Sequence, residues 1–116
     1  MTTQQQEGAS GSLPPATPVD LAGLVAYQDG SIVSRTLLKK NGGTLTLFAF
    51  DAGQSMSEHT APFDAVVQIL DGEAELIIGG KRVVAPHKQA VLMPANVPHA
   101  LRAVARFKMQ LVMLRG

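Results

Sequence analysis

The sequence has no cysteine and no tryptophan, and only one tyrosine and four phenylalanines among 116 residues. Without cysteine there are no disulfides and no thiolate zinc sites. A reducing cytoplasm is compatible with that absence, and a cytoplasmic location is the expectation. Charge is scarce too: ten Lys and Arg against nine Asp and Glu leave a net charge of +1. The basic residues form no stripe, and only Lys39-Lys40 and Lys81-Arg82 adjoin, beside turn residues. Nucleic-acid binding, which draws on clustered Lys and Arg, is therefore not expected. No apolar run approaches the ~18 residues of a membrane span. There is no long segment of helical period, no internal repeat, and no glycine-rich phosphate loop leading into a helix.

What is present points to one small β domain. At this length a single domain is expected, burying roughly 65–70% of the surface its unfolded chain exposes. Residues 1–18, "MTTQQQEGASGSLPPATP", lack the cationic start and apolar centre of a signal peptide. Their Gln, Gly, Ser and Pro cannot bury apolar area, so they read as a flexible arm, or one ordered across a partner subunit. Residues 19–116 form the domain. Turn signals punctuate it at 28–30, 40–43, 51–53, 71–72, 79–80 and 86–88. Between them lie short runs rich in Val, Ile, Leu, Phe and Thr, the pattern of an all-β sandwich or barrel.

Strands are predicted at 31–38, 44–51, 55–60, 65–71, 74–79, 82–86, 90–93, 98–104 and 106–114, with a short helix or strand at 19–26. Phe107, Met109, Leu111 and Met113 share one face by period-two alternation. Thr46, Phe48 and Phe50 share one face of their strand, and Leu45, Leu47 and Ala49 the other. A strand apolar on both faces is covered twice, by its own chain or by a second subunit. Gly79-Gly80 marks a hairpin turn, where positive φ costs glycine nothing.

Two segments carry the chemistry. "SEHTAPFDAVVQILDG" begins at Ser57 and contains His59; "MPANVPHAL" begins at Met93 and contains His99. Gly53, five residues, His59, and then six residues from position 65 to Gly72 follow the first motif of the cupins. Pro94, Asn96 and His99 follow the second. Over about residues 31–114 the chain resembles a small single-domain cupin of the cupin 2 conserved-barrel, RmlC-like type. The resemblance implies a double-stranded β-helix, or jelly-roll barrel, and a homodimer. It also implies a divalent metal held by three His and one Glu pointing into the barrel.

Here the second His position is Ala61 and the Glu position is Ala65. Lys88 and Asn96 stand at two motif glycines, and Ala103 at the terminal Asn. Only His59 and His99 remain as ligands, whereas zinc and iron sites present three or four protein ligands. Further ligands can be weighed. Asp64 and Gln68 have the wrong parity if Ala65, Val67 and Ile69 point inward, although a bulge would turn Asp64. Glu58 should point away, and His87 lies in an exposed turn. Imidazole and water suit Zn, Ni, Cu or Fe.

Replacing two polar ligands with methyl groups makes the barrel more apolar. A pocket lined by Phe48 or Phe50, Val67, Ile69, Leu101 and the Phe107/Met109/Met113 face is one expectation; a filled core is the other. A nucleophile with base and orienter in reach is not visible, and Tyr27 lies outside the motif frame. The reading is a small-molecule-binding barrel with His59 and His99 as polar contacts, and a divalent metal as a further ligand. The alternatives are a metal-dependent dioxygenase or isomerase and a vestigial structural barrel.

Overall fold

The computed structural model describes residues 4–7 and 13–115. Of the expected arm, residues 1–3 and 8–12 lie outside the described residues. Within it, β1 (Gln4–Glu7) pairs in parallel with the start of β2 (Ser31–Lys40), Gln4 opposite Ser31. Nine further strands follow the predicted runs. After β2 come β3 (Gly43–Phe50), β4 (Ser55–His59), β5 (Asp64–Asp71), β6 (Ala74–Ile78), β7 (Lys81–Ala85), β8 (Ala90–Met93), β9 (His99–Arg102) and β10 (Phe107–Leu114). The 19–26 segment contains one 3-10 turn, Leu21–Leu24, and no strand. Among the described residues, no helix is long and apolar enough to cross a membrane.

Two sheets face each other as a jelly roll. One runs β1-β2-β3-β10-β5-β8, the other β4-β9-β6-β7. Alternation decides what lies between them. On β5, Ala65, Val67 and Ile69 are buried while Asp64, Gln68 and Asp71 are exposed. Phe48 and Phe50 of β3 point to the same interior as Phe107 and Met109 of β10, and Phe50 stacks on Phe107 at 4.5 Å between centroids. Val67, Ile69, Phe107 and Met109 are at most 1% exposed, so these expected pocket residues are packed core in the middle of the barrel.

The other apolar face of β3 is covered by the chain itself. Leu13, Leu21, Leu24, Val25 and Tyr27 lie over Leu37, Leu47 and Ala49 and form a second, outer core. Burying Leu37 and Leu47 is worth about 1.5–3 kcal/mol each. Polar contacts fasten this strap. Lys108 Nζ donates to the Ala22 carbonyl at 2.6 Å, and Arg35 Nη1 donates to the Leu24 carbonyl at 3.0 Å. The Tyr27 hydroxyl donates to Asp71 at 2.5 Å, with Arg106 4.6 Å above its ring. Burial first, and then the Asp71 carboxylate, push the Tyr27 hydroxyl well above its usual pKa.

Several turns use left-handed backbone. Gly79 and Gly80 both have positive φ, as the hairpin needs. Lys88 and Asn96, at the two motif-glycine positions, keep φ of 75° and 65°. These left-handed turns are made without glycine, at a steric cost that Asn bears better than Lys.

Candidate functional site

His59 ends β4 and His99 begins β9, and they are partners in the ladder between these strands. The pairing needs a bulge. Met56 lies opposite Leu101, three residues before His59, whereas His99 is only two residues before Leu101. The extra residue on β4 restores inward parity, so Met56 and His59 share the face of Leu101 and His99. The rings meet edge to face, 4.3 Å between centroids and 69° between planes. His99 is 6% exposed; His59 lies at the solvent-facing rim.

Both rings are oriented by their own strands. His59 Nδ1 lies 2.8 Å from the Ser57 carbonyl, and His99 Nδ1 lies 3.2 Å from the Val97 carbonyl. A carbonyl only accepts, so each Nδ1 carries the proton and donates. In the neutral ring Nε2 then holds the lone pair. Burial lowers the pKa of His99, and the neighbouring His59 adds to this against the opposing Val97 hydrogen bond.

Two loop contacts bring four strand ends together. Asn96 donates its N–H to the Ala61 carbonyl at 2.8 Å, and Ala95 donates its N–H to Asp64 Oδ1 at 2.9 Å. The loop after His59 is thereby tied to the loop before His99. Ala65 and Met93, paired between β5 and β8, lie at the same end of the barrel. Asp64 is exposed, and one of its oxygens accepts from the loop rather than turning inward. Glu58, Gln68 and His87 are exposed as well.

The four-ligand centre implied by the resemblance is therefore not completed. Ala61 and Ala65 offer methyl groups, and among the described residues no three His, Cys, Asp or Glu side chains gather where a metal would be held. The donor set does not fit a hard divalent metal with a carboxylate ligand. Met56 and Met93, which belong to the barrel core, were not among the expected site residues. Their inward direction follows from pairing with Leu101 and Ala65 on neighbouring strands, which alternation within a single strand does not reveal.

A second feature lies outside the barrel. Leu38, Leu45, Val112, Met113 and Leu114 help line an open apolar groove of about 240 Å³, which neither histidine borders. On the outer face of the four-stranded sheet, Glu75 is buried between Arg82 and Arg102, each donating through Nε.

Known proteins place this arrangement. None of the curated proteins matches the chain. A conserved Streptococcus pyogenes protein of unknown function is 36% identical, with a TM-score of 0.85, covering 90% of this chain and 92% of that one. A cupin superfamily protein from Desulfitobacterium hafniense is 28% identical, with a TM-score of 0.84, covering 90% and 96%. A cupin 2 conserved barrel domain protein from Leptotrichia buccalis is 38% identical with a TM-score of 0.79, covering 81% of this chain and 46% of that longer one. Residues 46–114, from β3 through both histidines to β10, match the cupin domain, and with the jelly roll that carries them this chain belongs to the cupin family.

Proposed function

We propose that this cupin is a binding module rather than an enzyme. Its ligand is a small, largely apolar molecule that enters the barrel end at His59 and donates a hydrogen bond to an imidazole Nε2. The observation that carries this reading is the paired orientation of the rings. Both Nδ1 atoms are occupied by backbone carbonyls, at 2.8 and 3.2 Å, which leaves two neighbouring acceptors. Apolar walls with few polar contacts suit such ligands. Ala61 and Ala65 remove bulk and charge from the same end. The enzyme reading is weaker because a metal-dependent oxygenase needs a carboxylate beside its two imidazoles.

A structural barrel with no ligand is the second reading, favoured by the filled middle of the jelly roll. Histidine-selective nitrogen-15 NMR separates the two. Phenol, indole and short alcohols serve as probes. Saturable movement of the Nε2 resonances of His59 and His99, lost in His99→Ala, is the expected result. Resonances unmoved by every probe would favour the structural barrel.

A further inference from the structure

We propose that the open groove on the outer face of the six-stranded sheet binds a free single-chain amphiphile, an unbranched aliphatic tail with an anionic head. The tail lies across the strands, and the head pairs with Lys40. This site is separate from the barrel end that holds the histidines.

The inference starts at a bulge in β2. Thr36 lies opposite Thr46 and Leu38 opposite Leu45, so β2 has one residue more than β3 at this step. Leu37 and Leu38 therefore both reach the outer face. The strap of residues 13–27 covers the first and leaves the second open: Leu37 is 1% exposed and Leu38 45%. From Leu38 an apolar row runs through successive strand partners, Leu45, Val112, Val66 and Leu92. Residues directly opposite in a ladder share a face. The row crosses β2, β3, β10, β5 and β8, a span of about 19 Å at the usual strand spacing. Continuous exposed apolar surface of this kind marks a binding surface.

Shape and charge select the occupant. In the next row Gly43 stands between Lys40 on β2 and Leu114 on β10. Having no side chain, it leaves a hollow floored by backbone; a Cβ there would run into the Met113 carbonyl oxygen. The groove holds about 240 Å³. Pockets that enclose drug-sized ligands start at about 300 Å³, so this one suits a narrow chain. A second copy would offer a broad sheet face, which a hollow one strand wide does not admit. Lys40 borders the groove, and among the described residues no carboxylate lies within ion-pair range of it. The acid of the same row, Asp64 beyond Leu114, accepts from the Ala95 N–H instead. A lysine lays its aliphatic stem on apolar surface and keeps its ammonium in water. That arrangement places a cation where the head of a bound amphiphile would emerge.

The test is titration of the full chain with dodecanoate below its micelle concentration, followed by calorimetry and amide NMR. The expected result is one saturable site per chain, with the largest shifts at residues 38–45 and 112–115. Affinity should rise by up to about fourfold per methylene from octanoate to dodecanoate. Lys40→Glu should weaken dodecanoate by about fivefold or more without weakening the cationic dodecyltrimethylammonium. The double variant Leu38→Ser/Leu114→Ser should weaken both probes by about tenfold or more. Leu38 and Leu114 are about half exposed, and circular dichroism checks that the barrel is retained. Absence of dodecanoate binding, shifts centred on His59 and His99, or unchanged affinity in folded Lys40→Glu would each overturn the proposal. Two further outcomes would also overturn it. A dimer in sedimentation that the double leucine variant dissociates would assign the face to a second copy. Flotation with phosphatidylglycerol vesicles, without uptake of monomeric dodecanoate, would assign it to a membrane surface.

Discussion

Asp64 Oδ1 accepts the N–H of Ala95 at 2.9 Å, joining the first residue of β5 to the loop that delivers His99. The carboxylate next to Ala65 thus holds a loop in place. Asp64→Ala should lower stability by about 1 kcal/mol and speed amide exchange at Ala95 and its neighbours. Urea unfolding and hydrogen exchange measure the two effects. Unchanged exchange in the loop would show that the Asn96–Ala61 bond alone suffices.

Gly72 and Lys88 make an opposing pair of tests. Gly72 has φ of 71°, and a Cβ there would lie 2.5 Å from the Arg106 carbonyl oxygen. Gly72→Ala should cost about 3 kcal/mol through left-handed strain and overlap with backbone. Lys88 occupies a left-handed position with a full side chain, so Lys88→Gly should stabilise by about 0.5–1 kcal/mol, net of glycine's entropy in the unfolded chain. The gain from Asn96→Gly should be smaller, because Asn tolerates that conformation. Denaturation midpoints at constant m-value settle all three.

Acidification should act through His99. Its folded-state pKa lies below the ordinary 6.5, first because it is buried. Well above 6.5 the ring is neutral in both folded and unfolded chains and gives no pH slope. As pH falls through 6.5 the unfolded chain takes up the proton first, and stability declines until the folded pKa is passed. In His99→Gln this part of the slope should vanish. Tm measured from pH 8 to pH 5 should fall less steeply for the variant; parallel curves would refute the assignment.

Glu75 predicts a separate acid limb. Hydrogen bonds from Arg82 first, and also from Arg102, hold its carboxyl below the ordinary 4.5 against the opposing effect of burial. Its contribution is complete above 4.5 and is lost as pH falls through the lowered folded value. Glu75→Gln should lower Tm at pH 7 and flatten the acid limb below pH 4.5, as scanning calorimetry would record. The His99 limb should remain unchanged.

The strands were legible because each half-buried run alternates with period two and ends at Gly, Asn or Asp. Ala65, Val67 and Ile69 fix the inward face of β5 by parity alone. The motif spacing placed His59 near His99 before their pairing was seen. Less was legible where information is carried between strands. The bulge between Met56 and His59 has no local residue signature, yet it decides which β4 side chains face inward. The two apolar faces of β3 announced two covers without saying that residues 13–27 supply the second one. The fate of Asp64 was also hidden, since an exposed carboxylate at a strand start serves equally well as a ligand or a loop clamp.

The position of β10 has a consequence for how the chain reaches its native state. This strand lies in the middle of the six-stranded sheet, between β3 and β5, although it follows both in sequence by more than thirty residues. Until Phe107–Leu114 arrives, Phe50 lacks its stacking partner and the interior faces of β3 and β5 have nothing to join them. Loop-closure entropy must be overcome before those contacts return any stabilisation, which slows folding and prolongs exposure of unpaired edges. On a ribosome β3 and β5 would wait for this strand, and the six-stranded sheet would close late.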